Sequence, residues 1–336
     1  MAESYLYLDP EEQREVLSFA AQQLNRSENV LEKDIWLCWV LQTLFDMPNA
    51  HPMAFKGGTS LSKVYDIIHR FSEDVDITLD YRHFNDGFDP FASGVSNNQI
   101  RKFSDRLKGY VYEYAHSLII PYLQLQLKQL PTAHQHSIRV DESGEKIWIS
   151  YPSVTEQNDE YLKTEILIEL GGRNIIDPNE KHIVKPYTAD IVPSLIFPEG
   201  EVVVLSPERT FWEKATLIHV ECQRGLRVGA NRLSRHWYDL VKLASHDSGQ
   251  RAVLNHGLFN DVVKHKSVFF NTSYAHYDQC LDGQLRLIPD ADNLSALKRD
   301  YQQMIASNML YGTILDFDNM IELIRDIEKN INMMQG

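Results

Sequence analysis

The chain has 336 residues, 43% hydrophobic and 24% charged, a balance that excludes a disordered polymer and leaves length for two separate cores. Three cysteines, Cys38, Cys222 and Cys280, lie far apart without CxxC spacing, which excludes a disulfide framework or cysteine zinc site and favours a reducing compartment. A net charge of −14 argues against wholesale wrapping of duplex DNA without excluding it, since a local basic patch on an acidic protein can still hold nucleic acid.

The N-terminus, MAESYLYLDPEEQREV, has no basic segment followed by an apolar run, and no later stretch approaches the roughly 20 apolar residues of a membrane span. No membrane partner is expected, and the cytoplasm is the simplest location. Residues 9 to 47 read as helical, with Asp9 and Pro10 as the start signal. Ile35, Leu37, Cys38, Val40, Leu41 and Leu44 fit a core stripe, whereas Glu32, Lys33 and Asp34 fit either a solvated first turn or the edge of a site.

The stretch from Lys56 to Asp80, KGGTSLSKVYDIIHRFSEDVDITLD, carries the densest chemistry. Gly57 and Gly58 form a turn whose backbone N–H groups can approach an anion, with phosphate the expected visitor. Thr59 or Ser60 can cap a short helix with Leu61, Val64, Ile67 and Ile68 at helical spacing, which would turn its positive end to the same anion. Beyond Arg70, the residues Ser72, Asp74, Asp76 and Thr78 alternate with Phe71, Val75, Ile77 and Leu79, the period of a strand with one polar face. Side chains two residues apart sit roughly 7 Å from one another at the backbone, so Asp74 and Asp76 can share one or two hard divalent cations.

Tyr81 to Asn98 reads as a long polar loop, and Gln99 to Leu130 as a helix on Phe103, Leu107, Val111, Tyr114 and Leu118, interrupted at Pro121 and covering a sheet. From His136 to Leu205 short β-branched and aromatic runs, HSIRV, KIWISYP, YLKTEILIEL, IVKPYTADI and EVVVL, predict a mixed or mostly antiparallel sheet. In YLKTEILIEL, Glu165, Leu167 and Glu169 share one face, and a glutamate on a central strand needs a partner. Glu169 is thus a candidate third carboxylate; an ion pair with a buried arginine or an exposed strand face explains it without a site.

Ser206 and Pro207 start a helix that turns Phe211, Ala215, Ile218 and Cys222 inward, which leaves Lys214 at the edge of the core. A basic loop with Arg224, Arg227, Arg232 and Arg235 follows, and Arg232, Arg235, His236 and Asp239 fall on one face of the next helix. His219, His236 and His246 lack metal-ligand spacing. The remainder is helical. The expected class is α+β with a mixed sheet and flanking helices, a first domain over residues 1–205 and a helical C-terminal domain over 206–336.

The order GG, helix, Asp-x-Asp on a strand and a later strand carboxylate resembles the nucleotidyltransferase superfold of the DNA polymerase β type. The wording is similar to the AbiEii/AbiGii toxin nucleotidyltransferases of abortive-infection and toxin–antitoxin systems. Lys56-Gly57-Gly58-Thr59-Ser60-Leu61 with Arg70-Phe71-Ser72-Glu73-Asp74-Val75-Asp76 resembles the first motif of that family, and Ile168-Glu169-Leu170 the second. Glu208 to Lys214 resembles the third, Arg235-His236-Trp237-Tyr238-Asp239-Leu240 the fourth, with His236 where the family often has an acid, and Glu32-Lys33-Asp34 matches an N-terminal feature. The resemblance implies transfer of a nucleotide from an NTP to a hydroxyl, in some relatives the 3′ end of tRNA, restrained by a cognate antitoxin. On that footing Asp74, Asp76 and Glu169 would hold Mg²⁺, Gly57, Gly58 and Ser60 would cradle phosphates, and Lys214 would neutralise the leaving pyrophosphate. Thr59, Ser72, Arg70, Arg235 and Asp239 would bind nucleotide or acceptor RNA, or, for Asp239, orient Lys214. A non-catalytic NTP-binding module that sequesters a partner is the competing reading; three acids near one phosphate site argue for the enzyme. A metal-dependent phosphohydrolase would need His and Asp clusters that the sequence lacks.

Overall fold

A computed structural model describes residues 3–84, 87–155, 163–226, 232–307 and 309–335. Arg227 of the basic loop, and Tyr161 and Leu162 at the start of an expected strand, lie outside the described residues. The chain divides into two compact units. The first comprises Met1–Thr59, Glu73–Asp86 and Asp105–Val204; the second comprises Ser60–Ser72, Gly87–Ser104 and Leu205–Gly336.

The first unit begins with β1 (Glu3–Ser4), α1 (Pro10–Leu24) and α2 (Glu28–Phe45). Asp9 starts α1 with a reciprocal cap: its carboxylate accepts from Glu11 N and Glu12 N, both at 2.9 Å, while Asp9 N donates to Glu12. Next in the chain come β2 (Met53–Lys56), α3 (Gly57–Lys63), β3 (Val75–Asp80), α4 (Asn97–Tyr114) and α5 (Ile120–Leu127), of which α3 from Ser60 and α4 up to Ser104 are counted with the second unit. The strands β4 (Ser137–Val140), β5 (Lys146–Ser150), β6 (Glu165–Asn174) and β7 (Asn179–Val184) follow, then α6 (Thr188–Ile191), β8 (Leu195–Ile196) and β9 (Gly200–Leu205). A small pair, β1 with β8, stands beside a seven-stranded sheet ordered β4-β5-β6-β3-β2-β9-β7. The sheet is mixed, as its sequence predicts: β3 runs parallel to β6 and β2 to β9, while β2/β3, β4/β5 and β5/β6 are antiparallel.

On β6 the alternation is complete. Ile166, Ile168, Leu170, Gly172 and Asn174 are buried, and Glu165, Leu167, Glu169, Gly171 and Arg173 are partly exposed. The buried side takes α4: a Cβ on Gly172 would stand 2.2 Å from Val111 Cγ2, so glycine lets the helix approach the strand. Pro121 does not stop the α4 run. Residues Ala115–Ile119 widen into a π-turn and lead directly into α5, which makes room for a ring that lacks an N–H and crowds the preceding turn. The extra residue moves the inward stripe from Leu118, which is half-buried, to Ala115 and Ile119.

Three local expectations change. The helix after the double glycine is Gly57–Lys63, so Thr59 and Ser60 lie inside it rather than capping it. Asp66, at φ 50°, turns the chain out before Ile67 and Ile68, which remain buried in irregular backbone. The run IVKPYTADI ends as a strand at Val184, and Thr188–Ile191 is a short helix, because Pro186 has no N–H to continue a ladder.

The second unit contains α7 (Pro207–Arg224), α8 (Ser234–Ala244), α9 (Asp247–Leu254), α10 (His256–Phe269), α11 (Tyr277–Leu281), α12 (Ala291–Ala306) and α13 (Phe317–Gln335). Ser206 Oγ accepts from Arg209 N at 3.2 Å, with Pro207 in the first turn, as the sequence predicts. Phe211, Ala215, Ile218 and Cys222 are buried, and the Trp212 and Trp237 indoles donate to the Ala252 and Leu287 carbonyls. The start of α8 is held by Asp300, whose carboxylate accepts from Arg232 N at 2.6 Å and Ser234 N at 2.7 Å. Arg232 stands outside the helix at φ 65°, so the face shared by Arg235, His236 and Asp239 does not include it.

Candidate active site

In the first unit, strand register builds a row of charge across four strands. Lys146 on β5 pairs with Glu169 on β6, Glu169 with Asp76 on β3, and Asp76 with Lys56 on β2. In-register neighbours project to the same face, so two adjacent carboxylates are flanked by two lysines. Lys146 Nζ lies 2.6 Å from Glu169 Oε1, with the two side chains 48% and 37% exposed. That bond, with further attraction from Asp141 and Asp74, holds the Lys146 pKa above the ordinary lysine value. Glu169 therefore sits on a partly solvated face with a lysine partner, at modest cost.

Gly57 closes the row. Its φ is +81°, and a Cβ there would stand 2.1 Å from Asp76 Oδ2. Only glycine lets the turn after β2 meet this carboxylate. Asp74 is the residue immediately before β3, so strand alternation fixes the side taken by Asp76 but not the side taken by Asp74. Ser72, in the second unit, also precedes the strand.

Glu32, Lys33 and Asp34 are buried, which overturns the solvated-turn expectation. Lys33 Nζ pairs with Glu73, next to Asp74, and donates to the Lys163 carbonyl at 2.9 Å. Glu32 accepts from Ser153 Oγ at 2.6 Å and Val154 N at 2.7 Å; burial raises its pKa against the pull of these bonds. Asp34 accepts from Tyr187 N at 2.7 Å. This second turn of α2 is a polar post that fixes the segment ahead of Asp74 and two distant loops.

In the second unit Asp239 is the centre. Its fully buried carboxylate receives Arg70 Nε at 2.7 Å and Arg70 Nη2 at 2.8 Å, and Lys214 Nζ at 2.8 Å. Burial alone would raise the Asp239 pKa, but Arg70 and then Lys214 outweigh it and hold the carboxyl well below the usual range. Lys214 shares this counterion. Burial lowers its pKa, Asp239 opposes the shift, and Arg70 and Arg235 add to it. Arg70 is fixed by a backbone bridge to Leu310, and the neighbouring His69 carbonyl accepts from Tyr311 N and the Tyr238 hydroxyl. His236 is kept neutral by burial and by Lys214 and Arg235, and its Nδ1 has no hydrogen-bond partner among the described residues. His219, by contrast, has both ring nitrogens against backbone groups.

The sequence-predicted residues thus fall into two sets. Gly57, Gly58, Thr59, Asp74, Asp76 and Glu169 belong to the first unit, and Ser60, Ser72, Arg70, Lys214, Arg235 and Asp239 to the second. Thr59 and Ser60 have buried side chains, so a phosphate at this turn would meet backbone N–H groups. Sequence reasoning missed Lys146 and the Lys33–Glu73 pair. Lys146 opens an alternating strand, but its register opposite Glu169 is a long-range property.

Among the described residues no three His, Cys, Asp or Glu side chains gather at metal-holding distances. The adjacent pair Asp76 and Glu169 still fits a hard cation such as Mg²⁺, which keeps several waters and needs one or two carboxylates beside substrate phosphates. Among the described residues no helix is long and apolar enough to cross a membrane.

None of the curated proteins searched matches the chain. Among solved structures, the nucleotidyltransferase toxin MenT4 from Mycobacterium tuberculosis H37Rv is similar at 15% identity and a TM-score of 0.45, over 95% of this chain and 98% of that one. The sequence model of the family described as nucleotidyl transferase AbiEii toxin, type IV toxin–antitoxin system, matches residues 39–323. With most of its length in that match, the chain belongs to the AbiEii nucleotidyltransferase toxins of type IV toxin–antitoxin systems.

Proposed function

We propose that this nucleotidyltransferase toxin carries out a Mg²⁺-dependent transfer of a nucleotide from an NTP to the terminal hydroxyl of an RNA, with the tRNA 3′ end as the leading acceptor and a cognate antitoxin as the restraint. The observation that carries the reading is the in-register pair of Asp76 and Glu169, with Gly57 closed against the Asp76 carboxylate. Asp76, Glu169 and Asp74 are the proposed ligands of Mg²⁺. A bound Mg²⁺ would lower the pKa of the attacking hydroxyl and offset triphosphate charge. Backbone N–H groups at Gly57 and Gly58 would receive phosphate oxygens.

In the second unit the proposed role of Lys214 is to neutralise charge on the leaving pyrophosphate, an interaction that strengthens in the transition state. Asp239 holds that ammonium in place, and Arg70 locks Asp239 from the other side. Arg235, partly exposed on α8, is assigned to acceptor or phosphate contact.

The test is incubation with each α-labelled NTP, Mg²⁺ and total RNA. We expect label on one RNA class, and its loss, by at least about a hundredfold, in Asp76→Asn with the circular-dichroism spectrum unchanged. Full labelling by Asp76→Asn would remove the carboxylate assignment, and labelling of no RNA by the native protein would remove the acceptor.

A further inference from the structure

The same face of the sheet carries an aromatic and a guanidinium that the proposed transfer does not use. The chain has five tryptophans. Trp36, Trp39, Trp212 and Trp237 are buried, whereas Trp148 on β5 is partly exposed. Trp148 is two residues from Lys146, hence on the same face, and lies opposite Leu167 on β6 and Arg139 on β4. The Arg139 guanidinium carbon lies 3.7 Å from the indole centroid, and Arg139 Nη2 lies 3.6 Å from Glu165 Oε2. An indole and a carboxylate thus hold a planar cation over the Trp148 ring, with the Arg139 side chain 59% exposed.

We propose that Arg139 and Trp148 form a stacking platform for a nucleobase of the acceptor strand. The proposal rests on the nucleotide-transfer reading given above. Guanidinium planes and aromatic rings are the surfaces on which unpaired bases stack, and stacking tolerates any base because each has a π-face. Position selects the acceptor over the incoming nucleotide. Two strand spacings and two residues separate Trp148 from Asp76, about 12 Å at the backbone. That is the span from a reacting phosphate to the base of the next nucleotide along a strand, not to the base of the same nucleotide. The surrounding charge agrees: Arg139 and Lys146 supply the positive side, and Glu165 and Glu169 tether them rather than project alone.

The probe is a short single-stranded RNA with a free 3′ hydroxyl. Two readouts are needed, steady-state transfer and intrinsic fluorescence. In Trp148→Leu we expect the oligonucleotide KM to rise about tenfold, with kcat and the NTP KM within about twofold, and Trp148→Phe to restore most of the loss. The same RNA should quench the fluorescence of the native protein and of the transfer-dead Asp76→Asn protein, and should not quench Trp148→Leu. An unchanged oligonucleotide KM, a rise confined to the NTP KM, or quenching that survives in Trp148→Leu would each overturn the platform. Quenching does not depend on turnover, so a native protein that transfers nothing would remove the transfer reading while this arm still decides the platform.

Discussion

At the scale of single residues, the decisive object in the second unit is a carboxylate with two cations. Asp239 has no exposed surface, and a lone buried charge there would be costly; Arg70 and Lys214 together make the ionised form the stable one. The arrangement leaves Lys214 with half a counterion. Its proton is therefore held less tightly than in free lysine, in the direction set first by burial and then by Arg70 against Asp239. If the charged form stabilises the leaving pyrophosphate, kcat falls on the alkaline side with an apparent pKa below the roughly 10.4 of free lysine. Lys214→Arg keeps a cation at every accessible pH and should remove this alkaline limb even if it lowers the plateau. A limb of the same position in native protein and Lys214→Arg would show that another group titrates. The residues of this trio are individually visible in the sequence. Their union is not, because positions 70, 214 and 239 are joined only by the fold.

At the scale of elements, period and caps were legible and register was not. Asp9-Pro10 and Ser206-Pro207 start helices where local hydrogen bonding dictates, and the alternation of β6 survives intact in the structure. Glu32, Lys33 and Asp34 defeat local reading because their burial depends on Glu73, Lys163, the 153–155 segment and Tyr187, all more than 35 positions away. The strand holding Asp76 starts at Val75, although the alternation begins at Phe71, because a repeat of apolar and polar residues marks a period and not the end of a strand. Helix-to-sheet packing offers a direct test of the buried side. Gly172→Ala places a methyl 2.2 Å from Val111 Cγ2, so α4 or the valine must move, at a cost of about 1–3 kcal/mol. Urea unfolding should show that loss, and Val111→Ala in the same chain should return part of it, because the second change removes the colliding methyl. If Gly172→Ala alone is neutral, α4 does not rest on β6 this closely in solution.

At the scale of the whole molecule, the balance of charge and function pull apart. The chain carries a net charge of −14, yet the proposed acceptor is a polyanion. A protein that wraps nucleic acid neutralises many phosphates and loses affinity steeply with salt, about 10³–10⁵ between 50 and 200 mM for 6–10 contacts. The open face of the sheet offers few cations for the purpose, and two of them, Lys146 and Arg139, are partly neutralised by Glu169 and Glu165. Recognition then falls to a short end of the strand, gripped by stacking and by the reacting groups, on a chain whose net charge opposes a polyanion. Two phosphate contacts correspond to a loss of only about tenfold across the same salt range. Binding of the 3′-hydroxyl RNA to Asp76→Asn, measured by fluorescence at several KCl concentrations, should give that shallow slope. A slope matching six or more contacts would mean that a broad basic surface, and not the end of the strand, governs binding.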